Sequence, residues 1–166
     1  ANKIACEQIL YAYNSYYDIP FSILRICVPY GNNVGHEYSY GTLQFFLDQW
    51  NKNKKIVLFG DGSAKRTLSH IDNICSTLFA IAKSKDSVNS VYNMPGETYS
   101  LAELALLITK SSEKIIFKEW PEMHLKIETG STFFENKVLN TDPIIHPEGL
   151  LESWISEMHA KEVFDV

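Results

Sequence analysis

The chain has 166 residues, of which 45% are hydrophobic and 21% charged, and its formal net charge is −5. A chain of this length has room for one domain or two small lobes, and its composition is ordinary for a globular protein. No apolar run approaches the roughly 18 residues that span a bilayer, and no basic cluster is typical of a nucleic-acid-binding surface, so neither a membrane nor a nucleic acid is an expected partner.

Helical and strand patterns alternate along the chain, which favours an α/β fold with parallel strand pairs. Helices are recognised from apolar residues three or four positions apart, and strands from short apolar runs that stop at glycine, proline or asparagine. The predicted elements, in chain order, are helix 1–17, strand 21–28, helix 42–51, strand 56–59, strand 67–71, helix 72–83, strand 90–94, helix 101–109, strand 114–118, strand or loop 121–128, helical turn 133–139 and helix 147–164.

Some of these elements carry more specific signals. The apolar run over residues 21–28 predicts one buried parallel strand, whereas the alternation over residues 67–71 predicts a half-buried one. Asp72 is the predicted cap of the helix that follows, and Ser100 with Glu103 predicts a capping box. The residues predicted to face inward are Leu43, Phe46, Leu47 and Trp50 in helix 42–51 and Ile74, Leu78, Ile81 and Ala82 in helix 72–83.

The cysteines Cys6, Cys27 and Cys75 are far apart and lie among apolar residues, which favours buried, reduced thiols in a cytoplasmic protein. Neither the cysteines nor the histidines have the spacing of metal ligands, so no metal site is expected. The chain begins at Ala1 without a methionine or a signal peptide, so the sequence is expected to be a piece of a longer protein.

A glycine-flanked turn at Gly60-Asp61-Gly62 separates strand 56–59 from Arg66, one of two arginines in the chain. Glycine tolerates positive φ and aspartate bonds its own backbone, so this sequence favours a tight turn. A planar, permanently charged guanidinium binds phosphate oxygens bidentately. On spacing alone, however, Arg66 is also compatible with an ordinary surface arginine.

Residues 58–74, LFGDGSAKRTLSHIDNI, resemble the G-D-G-x-x-x-R-D-F-x-H-V-D-D block of the extended short-chain dehydrogenase/reductases. This family contains the nucleotide-sugar epimerases and dehydratases. The resemblance implies that Arg66 binds the diphosphate of a sugar nucleotide. Thr67 stands where the family has aspartate.

The opening segment, A-N-K-I-A-C-E, resembles the end of the family signature Y-x-A-S-K-x-A-x-E. The resemblance implies that Lys3 is the catalytic lysine, which binds the nicotinamide ribose and lowers the pKa of a tyrosine two positions before Ala1. Lysine and tyrosine four residues apart share one helix face. Outside this register, Lys3 is an ordinary helix-surface lysine.

Residues 25–31 resemble the family's R-x-x-N-x-Y-G strand end, which implies that Ile26, Val28 and Pro29 lie against the nicotinamide. Val28 replaces the asparagine that helps to hold the substrate diphosphate, and valine has no such donor. Proteins of this family bind the nucleobase between two segments of the chain. The resemblance implies that the matching segments here supply the remaining substrate-binding residues, which are Thr42, Leu43, Val57 and Phe59.

Weaker resemblances extend the match nearly to the end of the chain. Residues 90–96 and 98–104 resemble a family strand and helix start, and residues 134–139 and 147–150 resemble two later motifs. Glu128 and Ser131 stand where epimerases often carry R-x-G-D, and a carboxylate there repels a diphosphate unless it points away.

The resemblance and the element order together predict the C-terminal portion of a Rossmann-type parallel sheet plus a small α/β substrate-binding lobe. Only strands 21–28 and 90–94 look buried enough for a central sheet, and no G-x-G-x-x-G turn follows a strand, so the glycine-rich N-terminal half is absent from this sequence. The predicted division assigns residues 1–31 and 71–97 to the dinucleotide-binding domain and residues 32–70 and 98–166 to the substrate lobe.

Two hypotheses from different classes follow, beside a third in which the motifs of a plain α/β domain are coincidental. In the first, the parent protein is an NAD- or NADP-dependent epimerase, dehydratase or reductase acting on a nucleotide-activated sugar; this stretch alone holds no cofactor and is inactive. In the second, the chain is a non-catalytic ligand-binding or dimerisation module. The resemblance also implies a homodimer formed through helix 1–17.

Overall fold

The computed structural model of the chain describes residues 2–31, 41–125 and 150–162. Within these ranges the helices are α1 (Asn2–Tyr17), α2 (Thr42–Asn51), α3 (Ile71–Lys83), α4 (Leu101–Thr109), α5 (Glu122–Leu125) and α6 (Leu150–Glu162). The strands are β1 (Ser22–Arg25), β2 (Val28–Tyr30), β3 (Ile56–Phe59), β4 (Lys65–His70), β5 (Ser90–Asn93), β6 (Glu97–Ser100) and β7 (Ile115–Lys118). Two 3₁₀ turns, Lys85–Ser87 and Ser112–Lys114, precede β5 and β7.

The strands form three small sheets. β1 pairs in parallel with β5, and β3 pairs in parallel with β7. β4 is the central strand of the third sheet, parallel to β2 and antiparallel to β6. The expected α/β fold with parallel strand pairs is therefore confirmed, since parallel neighbours are joined by crossovers that contain helices.

The main hydrophobic core lies where α2, α4 and α6 pack against β3 and β4. Strand alternation points Ile56 and Leu58 of β3 into this core. The predicted inward face of α2 is confirmed, because Leu43, Phe46 and Leu47 are buried and Trp50 packs against the cluster. The buried members are Tyr30, Leu43, Phe46, Leu47, Ile56, Leu58, Leu68, Leu104, Ala105, Ile108, Leu151, Trp154 and Ile155.

The capping box predicted for α4 is present. The Ser100 hydroxyl accepts a hydrogen bond from the backbone N–H of Glu103, and the Glu103 carboxylate accepts one from the backbone N–H of Ser100 at 2.7 Å. These bonds satisfy two backbone donors that a helix start leaves without partners. The backbone N–H and the hydroxyl of Ser100 both donate to the Glu103 carboxylate and hold its pKa below its usual value.

The prediction of one buried strand over residues 21–28 is wrong. The chain forms β1 and β2, which are separated at Ile26 and Cys27 and pair in different sheets. Phe21 is buried, but Arg25 and Ile26 are exposed. A parallel strand is buried only when elements cover both its faces, and β1 has β5 as its one neighbour among the described residues.

The alternating burial predicted for residues 67–71 is also wrong. Thr67, Leu68 and Ser69 are all buried in succession, because β4 is a central strand covered on both faces. The helix cap differs as well. His70, rather than Asp72, caps α3, and its Nδ1 accepts a hydrogen bond from the backbone N–H of Asp72 at 3.3 Å.

Apolar residues on α1 and α3 remain exposed. α1 contains no buried residue, and Ile4 and Ile9 are 67% and 56% exposed. On α3, Ile74 and Ile81 are buried as predicted, but Leu78 and Ala82 are exposed. Helical spacing therefore identified both helices, but within the described part of the chain one face of α3 is buried and no residue of α1 is.

The prediction that the cysteines are buried is wrong for two of them. Cys6 on α1 and Cys75 on α3 are exposed, and Cys27 is half-buried; all three are free thiols. The reason is the same uncovered helix surface that leaves Leu78 in solvent.

The chain after β7 differs from its prediction where it is described. Residues 122–125 form the short helix α5 rather than a strand or loop. The terminal helix is confirmed as α6. The predicted helical turn 133–139, the motifs at 134–139 and 147–149, and Glu128 and Ser131 lie outside the described residues. Among the helices that are described, none combines the length and the apolar character needed to cross a membrane.

Candidate functional site

A cavity of about 390 Å³ lies between α1 and the end of β1. It brings together Lys3, from the first turn of α1, and Ile26, which follows β1. The cavity is mostly apolar, with Lys3, Glu7 and Arg25 as its charged members. Its lining residues are Lys3, Cys6, Glu7, Leu10, Ile23, Leu24, Arg25 and Ile26.

An ion pair fixes α1 to β1 at this cavity. Arg25 donates two hydrogen bonds to the Glu7 carboxylate, from Nε at 2.9 Å and from Nη2 at 2.7 Å. The hydrogen bonds from the Arg25 guanidinium hold the pKa of Glu7 below its usual value. Arg25 thus compensates the negative charge of Glu7. Lys3 lies one helical turn from Glu7 on the same face of α1.

A second, much smaller cavity of about 30 Å³ lies between β2 and the start of α2, about the volume of one water molecule. It brings together three residues that the sequence assigned to ligand binding, Val28 and Pro29 of β2 and Leu43 of α2. Thr42 immediately precedes Leu43 and is half-buried. Leu43 itself is only 3% exposed, because its side chain belongs to the hydrophobic core.

Val57 and Phe59 lie on the face of β3 opposite to Ile56 and Leu58. Val57 is half-buried and the Phe59 ring is 36% exposed. Leu43 lies on the core side of β3, so the side chains of Leu43 and Phe59 do not face one another. Of the implied nucleobase-binding residues, Val57 and Phe59 therefore form one group and Thr42 and Leu43 another.

The turn after β3 has the expected geometry. Gly60 and Gly62 have φ of +73° and +72°, which glycine adopts most readily. Asp61 accepts hydrogen bonds from the hydroxyl and the backbone N–H of Ser63, and these lower the pKa of its carboxyl group.

Arg66 is half-buried on β4, and its Nη1 donates a hydrogen bond to the backbone carbonyl of Lys65 at 2.8 Å. Arg66 lines neither of the two cavities described above. The neighbouring Thr67, which replaces the family's aspartate, shares a 2.9 Å hydroxyl–hydroxyl hydrogen bond with Thr98 across the β4–β6 pair. The substitution is thus accommodated inside the sheet.

Two tyrosines near the core are not suited to proton abstraction. Burial raises the pKa of Tyr30, and burial together with the hydrogen bond from its hydroxyl to Glu97 raises the pKa of Tyr99. A general base needs a pKa close to the working pH, so neither residue is a candidate. In the described ranges, His, Cys, Asp and Glu also form no group of three that could hold a metal ion.

One aromatic contact was not predicted from the sequence. The ring of Trp120, two residues after β7, packs on the ring of Phe59 with centroids 5.4 Å apart and an angle of 31° between planes. The available signal was the parallel pairing of β3 and β7, which brings their C-terminal ends to the same edge. A strand pair this far apart in the sequence is not specified by local pattern, so Trp120 was missed.

Comparison with known proteins assigns the family. The model of the NAD dependent epimerase/dehydratase family matches residues 1–95, more than half of the chain. The chain belongs to this family. The epimerase/dehydratase match includes Lys3, every lining residue of the larger cavity and the segment from β3 through Arg66, and it ends just after β5.

Individual epimerases show the same relationship. A Methanocaldococcus jannaschii protein that carries the provisional name UDP-glucose 4-epimerase is 28% identical over 89 residues, which is 53% of this chain and 29% of that protein. The crystal structure of UDP-glucose 4-epimerase from Thermotoga maritima with UDP-glucose superposes with a TM-score of 0.75 at 18% identity, covering 96% of this chain and 52% of that one.

A third match is the UDP-glucuronic acid 4-epimerase of Bacillus cereus in complex with UDP-glucuronic acid and NAD, with a TM-score of 0.73 at 21% identity, covering 97% of this chain and 51% of that chain. The chain thus spans about half the length of these solved structures and under a third of the curated relative. The predicted fold class, the C-terminal portion of a Rossmann-type epimerase fold, is confirmed.

Proposed function

We propose that this chain is the substrate-binding portion of an NAD- or NADP-dependent epimerase, dehydratase or reductase that acts on a nucleotide-activated sugar. The observation that carries the proposal is the meeting of Lys3 and Ile26, the implied lysine and nicotinamide contact of an epimerase/dehydratase, in one cavity of about 390 Å³. Its volume lies within the usual range for small-molecule sites.

The residues of this cavity fit a nicotinamide nucleoside. Ile23, Leu24 and Ile26 offer apolar surface to a planar ring, and the Lys3 ammonium offers a donor to ribose hydroxyls. The Arg25–Glu7 pair leaves no uncompensated carboxylate beside them. The Bacillus cereus relative is described with NAD bound. A nicotinamide cofactor held by these residues would supply the redox chemistry, the transfer of a hydride from a sugar carbon.

The chain's own contribution is to hold and orient. Lys3 binds the ribose and lowers the pKa of a tyrosine one helical turn before it, which then removes the proton of the sugar hydroxyl. Arg66 anchors the diphosphate, and the face of β3 that carries Val57 and Phe59 receives the nucleobase. This stretch alone holds no cofactor and does not turn over substrate, because the glycine-rich turn and the tyrosine are not in it.

The anchor is tested by titrating the protein with UDP-, dTDP- and GDP-sugars in a calorimeter. Arg66→Ala is expected to weaken binding of the preferred sugar nucleotide about tenfold to a hundredfold, since a hydrogen bond to a charged group contributes about 1.5–3 kcal/mol. Arg66→Lys keeps the charge but not the bidentate geometry, so its affinity is expected to lie between those of the wild type and Arg66→Ala.

Lys65→Ala is the matched control. Lys65 is the adjacent residue on β4, is exposed and points to the opposite side of the strand, so its removal should leave the affinity nearly unchanged. An unchanged dissociation constant for Arg66→Ala would refute the anchor. Turnover of a sugar nucleotide by the isolated 166-residue chain would refute the proposed inactivity of this stretch.

One observation favours a second candidate, a non-catalytic ligand-binding or dimerisation module. Val28 lines the smaller cavity and has an apolar side chain. At the same position the family resemblance implies an asparagine that helps to hold the substrate diphosphate. Reading the codons upstream of Ala1 discriminates the two. A glycine-rich phosphate turn with a tyrosine two positions before Ala1 supports the enzyme, and the absence of both supports the module.

A further inference from the structure

We propose that Trp120 is a specificity-determining residue of this chain, forming with Phe59 the aromatic wall on which the nucleobase stacks. The inference rests on the function proposed above, and it adds a residue outside the part of the chain that the family model matches, which ends at residue 95. Phe59 ends β3 and Trp120 follows β7, so the two residues come from segments far apart in sequence.

Main-chain pairing sets the position of the indole. Phe59 is in register with Lys118 in the parallel β3–β7 pair, and the backbone N–H of Gly60 donates to the Lys118 carbonyl at 2.8 Å. The chain after Lys118 therefore passes directly over the turn. A Cβ atom at Gly60 would lie only 2.7 Å from Nε1 of Trp120, so any residue other than glycine at position 60 would displace the indole.

The aromatic pair lies at the surface. Neither Phe59 nor Trp120 belongs to the main buried cluster, and the Phe59 ring is 36% exposed. Soluble proteins rarely leave large aromatic surface together in water unless it meets a partner. Offset rings with centroids 5.4 Å apart form a platform of the kind on which planar heterocycles stack.

The position of the platform favours a nucleobase over other planar groups. The turn that starts beside Phe59 leads within a few residues to Arg66, the proposed diphosphate anchor. A nucleoside diphosphate joins a stacking ring and a doubly charged linker in one molecule, which matches a ring, Phe59, and a guanidinium, Arg66, carried by one continuous segment. A stacking base contributes about 5- to 100-fold in affinity by alanine substitution.

The test is a binding titration with UDP, dTDP and inorganic pyrophosphate, followed by tryptophan emission and by calorimetry. UDP or dTDP is expected to quench the emission, whereas pyrophosphate is not, since it lacks a ring. Trp120→Leu, which keeps apolar volume, is expected to lose the quenching and to raise the dissociation constant about 5- to 100-fold. Trp120→Phe should retain most of the affinity, and Leu125→Ala, an exposed apolar change in the same segment, should retain it fully.

The outcomes separate this inference from the function on which it rests. If Trp120→Leu binds UDP as tightly as the wild type while Arg66→Ala does not, the Trp120 inference is wrong and the proposed function stands. Equal affinity for pyrophosphate and UDP in the wild type would also overturn the inference. If no nucleotide or sugar nucleotide binds the wild type, both fail. Circular dichroism of each variant shows whether a loss of binding reflects a loss of fold.

Discussion

Gly96 marks the closest approach between β4 and the segment that leads into β6. A Cβ atom at this position would lie 2.2 Å from the backbone carbonyl oxygen of Leu68 and 2.6 Å from the Ser69 hydroxyl, which itself donates a 2.8 Å hydrogen bond to the Pro95 carbonyl. The carbonyl of a central strand cannot move without breaking the ladder, so only glycine fits here.

Gly96→Ala is therefore expected to lower the free energy of unfolding by about 1–3 kcal/mol, as overpacking of a closed core does. The measurement is urea denaturation. Ser112→Ala, at an exposed position of a 3₁₀ turn, is the control and should change stability by less than about 0.5 kcal/mol. Equal stability of the Gly96 variant and the control would show that the strands do not approach so closely.

At the residue scale, the sequence predicted some neighbours but not others. Lys3 and Ile26 were assigned to one cofactor site through the family resemblance, and they line one cavity. The contact of Trp120 with Phe59 was not predictable, because it depends on which strands pair. The roles of Lys3, Ile26, Val28, Pro29, Thr42, Leu43, Val57, Phe59 and Arg66 in binding stay predictions.

α4 illustrates an element whose sequence signal and structure agree. Its start is fixed by the Ser100–Glu103 capping box, and Leu104, Ala105 and Ile108 are buried against the core. Hydrogen bonds from Ser100 lower the pKa of Glu103. A carboxylate with a lowered pKa stabilises the folded state above its unfolded-state value, here 4.5, and that stabilisation is lost as the pH falls through the folded-state pKa.

We therefore expect Glu103→Gln to show a shallower loss of stability than the wild type as the pH is lowered below about 4.5. Ser100→Ala should lose about 1 kcal/mol at neutral pH and flatten the slope only in part, because it removes the hydroxyl hydrogen bond to the Glu103 carboxylate but keeps the one from the backbone N–H. Urea midpoints measured from neutral to acidic pH check both. If both variants lost stability with falling pH as steeply as the wild type, the hydrogen bonds from Ser100 would not be the cause of the lowered Glu103 pKa.

α1 is the opposite case. The helical period of its sequence predicted α1 correctly, yet α1 has no buried residue in the described structure. Its contacts with the rest of the chain include the Arg25–Glu7 pair, the Asn14–Asn89 hydrogen bond and the packing of Tyr11 on Phe21. Amphipathic spacing indicates that a helix has a face to bury, but it does not indicate which part of a protein covers that face.

Hydrogen exchange provides the test at this scale. In dilute protein the backbone amides of α1 are expected to exchange much faster than those of α4, since opening α1 exposes little additional apolar surface. Peptide-level mass spectrometry resolves the two helices. Protection of α1 equal to that of α4 at the lowest protein concentration would show that α1 is more firmly packed than its exposure indicates.

At the scale of the whole molecule, the exposed apolar residues of α1 favour the homodimer that the family resemblance implies. Ile9 is 56% exposed and Tyr16 is 82% exposed on this helix. Ile9→Asp is expected to shift the protein to monomer in analytical ultracentrifugation, because a charge cannot be buried in an apolar interface without a partner. Leu106→Asp, at a 49% exposed position on α4, is the matched control and should leave the association unchanged. A wild type that stays monomeric at high concentration would contradict the dimer.

The fold class was predictable because alternating helices and strands leave few topologies. Residues 21–28 show the limit, since an unbroken apolar run contained two strands that belong to two different sheets. Pairing is a property of the whole chain and is not encoded in any one segment. The division of residues 1–31, 32–70, 71–97 and 98–166 between two domains stays a prediction for the same reason.

The most direct test of the nucleotide site is a two-dimensional ¹H–¹⁵N NMR titration of the chain with a UDP-sugar. If Phe59, Trp120 and Arg66 bind the nucleotide, the largest chemical-shift changes fall on the backbone amides of residues 59–66 and on the indole N–H of Trp120. Saturating changes confined to other segments, such as the 3₁₀ turns Lys85–Ser87 and Ser112–Lys114, or spectra that do not change at all, would contradict it.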